Sequence, residues 1–422
     1  MKSSVYWFRN CARLSDNPSL VEAIKNSEYL LPLYIHQPDL DQLTTWGFPR
    51  TTNLRKKFLA ESLEDLRSKL KDMGSNLVEL NGQAEDVFQT LRDQHDLNTI
   101  YCEQIEAPEE SQQVLALKKR GFNVIQLWQS SMIDIKDLPY DVKTVPDVFT
   151  QFRKHVERKG LFFTKPVEAP KSMPPLPVGV EVEALPQNPS IEAIDCQFKG
   201  GETAFSAHLT QYLERRLPDT YKATRNQLLG KDFSSKFSPW LAVGCCSVRV
   251  IMDKLKEYES QYGANESTYW LWFELLWRDY FRFIHFKYGV KLYWSKGLST
   301  TPLPAFDARK FALWSSGTTG EELVDAGMRE LNATGYLSNR MRQIVASYWI
   351  YDMQGDWRAG AAWFESQLID YDVYSNQGNW LYIAGRGTDP RGGRSFNVKK
   401  QTREHDSDGA YRRRWLGTAT GH

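Results

Sequence analysis

The chain has 422 residues, 41% of them hydrophobic, which is enough for more than one core. Its 53 Lys and Arg against 52 Asp and Glu leave a net charge of +1, so no overall field draws it to nucleic acid, and any such contact has to come from a local patch. Met1 to Arg9 lack the apolar leader of a secretory signal, no stretch reaches the ~18 apolar residues of a membrane span, and the five cysteines lack metal-ligand spacing. These features predict a soluble, cytoplasmic protein with reduced thiols, no metal and no membrane partner.

From the N-terminus, Ser4 to Phe8, Leu30 to Ile35, Leu77 to Glu79, Thr99 to Cys102 and Val124 to Trp128 are short β-favouring runs separated by helix-length segments. Asn53 to Asp72 and Glu109 to Lys119 are the clearest of these helices, and Gly74 and Gly121 stand where each should stop. The alternation predicts βαβ units on a parallel sheet. No GxGxxG opens the first helix and no phosphate loop with Lys and Ser or Thr is present, so the usual dinucleotide fold is unsupported.

Lys165 to Pro189 holds seven of the 19 prolines and shows little periodicity, as expected of a connecting segment. Beyond it the periods become helical: Thr203 to Arg216, Val248 to Glu259, Thr268 to Lys287, Glu321 to Leu331, Ser338 to Tyr351 and Trp357 to Ile369. The predicted organisation is therefore an α/β domain over 1–135, a linker over 136–190 and a helical domain over 191–422 with its boundary near 190, without long strands. Nine of the 14 tryptophans fall between Trp270 and Trp380, denser than core packing alone requires.

Polar residues in this helical half form three constellations. In Thr220 to Gly244, Ser234 and Ser235 precede a short helix that Ser238 should cap ahead of Pro239; the hydroxyls and free N–H groups suit a phosphate, and ordinary capping is the plain alternative. In Phe273 to Phe283, Glu274, Trp277 and Arg278 share one side of a helix. They could contact a base by hydrogen bond and stacking, or form an intrahelical Glu274–Arg278 ion pair over a core tryptophan. In Thr334 to Asn397, Asn339, Arg342, Asp370, Asp372 and Asn376 sit in apolar sequence. Arg342 can balance Asp370, which leaves Asp372 and Asn376 to a heteroaromatic ligand, while Gly378, Gly385 and Gly387 allow close backbone approach.

WFRNCARLSDN, WGFPRTTNLRKKFLAESLEDL, PDVFTQFRKHVE, TRNQLLGKDFSSKFSPWLA, FELLWRDYFRF, TGYLSNRMRQIVAS, WFESQLIDYDVYSNQGNW and GRGTDPRGGRSFN follow in order along nearly the whole chain. Together they resemble the photolyase and cryptochrome family, specifically its DASH cryptochrome branch. The resemblance implies an N-terminal parallel-sheet α/β photolyase domain linked to a large all-helical FAD-binding domain. It also implies light-driven repair of cyclobutane pyrimidine dimers, favouring single-stranded DNA, by a monomer.

Carried over by motif, Tyr221, Ser234, Ser235 and Ser238 would hold the FAD diphosphate and ribityl chain. Asn339, Arg342, Asp370 and Asp372 would surround the ring system, with Asn376 facing flavin N5, where an amide suits an anionic reduced ring better than a carboxylate does. Glu274, Trp277, Gln343 and Tyr382 would meet the lesion. Arg340, Arg386, Arg391 and Arg394 are the expected basic patch for the DNA backbone. Trp380 and Trp357 would relay electrons to the flavin.

At two positions the chain departs from the family pattern. Pro304 stands where the distal tryptophan of the relay belongs, ten residues before Trp314, and Trp294 or a tyrosine is the candidate replacement. Ile105 stands where relatives carry a glutamate against a folate-type antenna, methenyltetrahydrofolate, with Glu106 displaced by one. The competing functions are a blue-light receptor signalling through FAD redox change and a DNA-binding flavoprotein with little repair activity. Asn376, Glu274 and Trp277 favour repair.

Overall fold

The computed structural model describes residues 2–180 and 196–417. Strands β1 (Ser3–Phe8), β2 (Tyr29–His36), β3 (Val78–Asn81), β4 (Thr99–Glu103) and β5 (Asn123–Leu127) form a five-stranded sheet in the order β3-β2-β1-β4-β5, parallel throughout. Helices α1 (Pro18–Asn26), α2 (Asn53–Asp72), α3 (Ala84–His95) and α4 (Pro108–Lys119) alternate with the strands. Alternate residues of β1 serve two cores. Val5 and Trp7 pack with Phe88 and Leu117, whereas Tyr6 and Phe8 join the core that continues into the helical half. α2 ends where expected, with Gly74 at φ +77° beyond its last turn.

The boundary expected near 190 and the last part of the linker lie outside the described residues. The earlier part of that expected linker departs from the prediction, because α5 (Phe149–Arg158) occupies it. Phe149, Phe152 and Val156, at helical spacing, are its buried face. Phe149 and Phe152 lie 5.5 and 5.4 Å from the ring of Tyr280.

From 196 onward no strand occurs among the described residues. The helices are α6 (Glu202–Glu214), α7 (Tyr221–Thr224), α8 (Ser238–Val243), α9 (Val248–Tyr262), α10 (Glu266–Tyr288), α11 (Ala308–Ser316), α12 (Glu322–Thr334), α13 (Asn339–Ser347), α14 (Trp357–Gln367), α15 (Val373–Ile383), α16 (Val398–His405) and α17 (Ala410–Leu416). The single helix expected over Ser338 to Tyr351 is α13 followed by a π-helical turn, Tyr348–Asp352.

The two halves interlock. The Asp279 carboxylate of α10 accepts the N–H groups of Met132 and Ile133 at 2.9 Å each. Arg13 donates to the Gly244 carbonyl at 3.1 Å, and a Cβ at Gly244 (φ +78°) would lie 2.0 Å from the Asn10 carbonyl oxygen, so only glycine fits. No helix among the described residues is long and apolar enough to cross a membrane.

Candidate functional site

α13, α14 and α15 bring the third constellation together. Ser338 caps α13 by accepting from Met341 N–H, and one turn on, Arg342 donates to Asp370 at 2.7 Å and to the Leu337 carbonyl at 3.0 Å. Burial opposes the charge on Arg342, but Asp370 beside it raises its pKa above the ordinary arginine value. The second Asp370 oxygen, Oδ1, is buried with no hydrogen-bond partner among the described residues, and so is Nε of Arg282. Such atoms are costly unless a ligand meets them.

Asp372 differs from the expectation that it stays available. It caps α15 by accepting from Ser375 N–H at 3.1 Å, and it takes both terminal nitrogens of Arg282, at 2.9 and 3.2 Å. Burial acts against its charge, yet Arg282 and Arg278 hold its pKa below the usual carboxylate value. Asn376, one turn into α15, donates to the Ala361 carbonyl at 3.0 Å, which orients its amide and leaves the side-chain carbonyl and one N–H uncommitted. Gly378 is required for packing: a Cβ there would lie 2.3 Å from the Phe281 ring.

In the serine segment, Ser234 (φ +58°) and Lys236 (φ +55°) are left-handed on either side of Ser235, whose carbonyl accepts from His208 at 2.8 Å. Non-glycine residues in the left-handed region are strained, and backbone of this kind recurs in anion-binding loops. Ser238 is not the cap that was expected. Phe237 holds that position and Ser238 is the first helical residue. Tyr221 is buried in α7.

On α10, Glu274 and Arg278 do not pair. Glu274 binds Arg225, whose guanidinium stands 4.9 Å from the Trp270 ring centre, while Arg278 turns inward to the Ser130 carbonyl at 2.6 Å. Burial raises the Glu274 pKa against the opposing pull of Arg225. Trp277 has one face covered by Phe149, stacked at 3.7 Å, and meets Tyr382 edge to face at 5.5 Å. Beside them Arg340 donates to Gln343 and to Asn226 at 3.1 Å each.

The expected basic patch separates. Arg391 is exposed, but Arg386 is 7% exposed and donates to the carbonyls of Lys296, Thr301 and Pro302, so its assignment to a DNA-facing patch is corrected: the loop consumes its donors. Arg394 is bound to Asp389 and Tyr382.

The tryptophans are tightly nested. Trp380 and Trp357 are buried, and a Cβ on Gly360 would lie 2.3 Å from the Trp380 ring. Trp380 lies 6.3 Å from Trp314, itself 5.3 Å from Trp349, a fully buried branch that sequence spacing did not reveal.

Strand order reverses around β1, and a cavity of about 2030 Å³ opens at the carboxyl ends of β1, β2 and β3, where such sheets bind ligands. Arg9, Tyr34, His36, Arg50 and Ile105 line it, and it extends to Asn376 and Trp357. One terminal nitrogen of Arg9, Nη1, is buried without a partner among the described residues. Glu106 is not among the lining residues: its N–H donates to Tyr374 at 2.7 Å and its carboxylate accepts from Gln104. Arg9, Tyr34 and His36 escaped sequence reasoning, although their positions at strand ends were a usable signal.

The family model described as DNA photolyase matches residues 4–174, and that described as FAD binding domain of DNA photolyase matches residues 270–420. A cryptochrome DASH of Gloeobacter violaceus is 42% identical over 434 residues, covering 100% of this chain and 86% of the relative. The crystal structure of a Synechocystis cryptochrome is similar with a TM-score of 0.92 at 42% identity, covering 98% of this chain and 88% of that one. A class III photolyase of Agrobacterium tumefaciens is similar with a TM-score of 0.82 at 27% identity, covering 99% of this chain and 87% of that one.

Proposed function

This chain belongs to the DASH cryptochromes of the DNA photolyase family, and we propose from that membership and from its site that it repairs cyclobutane pyrimidine dimers by light-driven electron transfer from FAD. Held in the helical domain, an FAD would supply one-electron chemistry to the cyclobutane ring. The residues fit such a group: Asp370 Oδ1 and Arg282 Nε lack partners among the described residues, as atoms that meet a polar heteroaromatic ring would. Asn339, Arg342, Asp370, Asp372 and Asn376 would hold the ring system, Asp372 through the Arg282 pair it orders. Tyr221, Ser234, Ser235 and Ser238 would hold the diphosphate side.

The observation that carries the reading is the aromatic pair Trp277 and Tyr382, which meet at 5.5 Å with Glu274 one turn before Trp277 on the same helix. Unpaired pyrimidines would lie against the ring wall, and the Glu274 carboxylate would accept hydrogen bonds from base edges and stabilise charge developing on them. Single-stranded DNA is the preferred substrate in this reading because no duplex has to be opened. Arg340, Gln343 and Arg391 would meet the strand at the rim, and the protein acts as a monomer. The test is lesion loss under blue light, with the protein reduced, in matched single-stranded and duplex oligonucleotides. Loss in neither rejects repair.

A second, light-collecting cofactor belongs to the same proposal. The cavity at the strand ends is favoured for it because it reaches Asn376 and Trp357, close to the flavin side of the helical domain. Ile105 removes the carboxylate expected against methenyltetrahydrofolate, so any antenna there would be held chiefly by stacking and by Arg9. Chromatography of released chromophores from fresh protein decides whether folate accompanies FAD.

A further inference from the structure

The segment from Gly385 to Arg394 is folded back on itself with unusual constraint. A Cβ at Gly385 (φ +66°) would lie 2.1 Å from the Gly392 carbonyl oxygen, and one at Gly393 (φ +122°) would lie 2.0 Å from the Tyr351 hydroxyl. Arg394 N–H closes the turn on the Ile383 carbonyl at 2.9 Å, which sets Arg394 beside Tyr382. At the centre lies Asp389, its side chain fully buried, accepting from the N–H groups of Arg391 and Gly393 at 3.2 and 3.3 Å. The same carboxylate takes Arg394 Nε at 2.9 Å and Nη2 at 3.1 Å. Nη2 also donates to the Tyr382 hydroxyl at 2.6 Å, with the guanidinium carbon 4.9 Å from the ring centre.

A phosphate clamp needs guanidinium donors turned to solvent. Arg394 instead commits Nε and Nη2 to a buried acid and to the tyrosine that meets Trp277 edge to face. Arg391, three residues earlier, is exposed and gives Asp389 only its backbone N–H. We propose that Asp389 and Arg394 are positioning residues that lock the Tyr382 ring edge-on to Trp277, so that this ring pair recognises a stacked pyrimidine dimer over undamaged bases. This rests on the repair reading above.

The test measures binding of single-stranded oligonucleotides with and without one dimer across a salt series, for the whole chain and for Arg394→Ala, Tyr382→Phe and their double variant. Expected is a loss of dimer-over-undamaged preference of about five- to tenfold in each single variant, with the double no worse than either, because one unit has been broken twice. The salt slope should stay unchanged. Additive losses would show that Arg394 and Tyr382 act separately, and a slope smaller by ~0.7 with equal weakening on both oligonucleotides would show that Arg394 contacts the backbone; either would overturn the proposal. If Arg394→Ala fails to fold, Tyr382→Phe alone decides, because it leaves the Asp389–Arg394 pair in place; unchanged preference in it overturns the positioning role. A parent protein without any preference for the dimer overturns the repair reading and this inference together, whereas a parent with preference and insensitive variants overturns only the inference.

Discussion

The indole nitrogen of Trp357 donates to the carbonyl of Ser295 at 3.0 Å, so the buried end of the expected relay touches the residue next to Trp294. Trp294 is 53% exposed, and its loop is held by Arg386, whose carbonyl in turn accepts from Leu298 N–H at 2.8 Å. Trp314 and Trp349, by contrast, are fully buried and offer solvent no entry. With proline at 304, an external thiol reductant is therefore expected to feed electrons through Trp294 and Trp357. Trp294→Phe and Trp357→Phe should both lose light-driven reduction of bound FAD, followed by absorbance, while repair after chemical reduction survives. Unchanged photoreduction in Trp294→Phe removes it from the path.

Protein purified under native conditions should carry stoichiometric, noncovalent FAD. Arg342→Met should lose it, because Asp370 would be left as an unpaired buried charge at a cost of roughly 3–5 kcal/mol. Denaturing release and chromatography, with a thermal melt, measure both effects. A well-folded parent without flavin, even after reconstitution, refutes the cofactor assignment.

Glu274→Gln keeps the shape and removes the charge. Repair quantum yield should fall on the order of tenfold with FAD retained, a barrier change of about 1.4 kcal/mol. Because burial raises the Glu274 pKa, its carboxylate form is lost as pH falls through a value above that of an ordinary glutamate. The parent yield should decline on that side and the variant yield should not. Equal yields in saturating reduced protein reject the charge role.

The two arginines Arg386 and Arg391 should separate cleanly. Arg391→Ala is expected to weaken DNA binding and to flatten its salt slope by ~0.7, the share of one single-strand phosphate contact. Arg386→Ala leaves three loop carbonyls without their donor and should destabilise the fold by about 2–4 kcal/mol with the slope unchanged. A slope change in a folded Arg386→Ala protein would return that residue to the DNA face.

Glu103, at the end of β4, is pushed up to about 7 by burial, against the pull of Arg13, Arg282, Arg9 and Arg278, and its Oε2 has no partner among the described residues. The folded chain thus holds this proton more tightly than the unfolded one, so the associated stability is present below the ordinary glutamate pKa and is lost as pH rises from about 4.5 to 7. Glu103→Gln should remove that slope and make the protein more stable at pH 8 than its parent, by up to roughly 3 kcal/mol. Denaturant melts at both ends of the range measure it, and an unchanged slope would assign the effect to another group.

The sequence by itself determined the parallel sheet, the start and stop of α2, the helical second half and the Arg342–Asp370 pair. Each rests on local periodicity, on a stop residue, or on the need to neutralise a charge set in apolar sequence. The family motifs are equally legible because they are contiguous. α5 was hidden inside an expected linker because its apolar face is short and shows itself only when packed on Tyr280.

Partners were decided by tertiary structure alone. Arg225 took Glu274, Arg282 took Asp372, backbone carbonyls took Arg386, and Asp389 with Tyr382 took Arg394. A long cation can reach several acceptors, and which one it meets depends on chain crossings 49 residues apart for Arg225, 90 for Arg282 and 84 to 90 for Arg386, and on the tight local fold for Arg394. The strand-end cavity likewise arises from the reversal of strand order around β1, which no window of sequence contains.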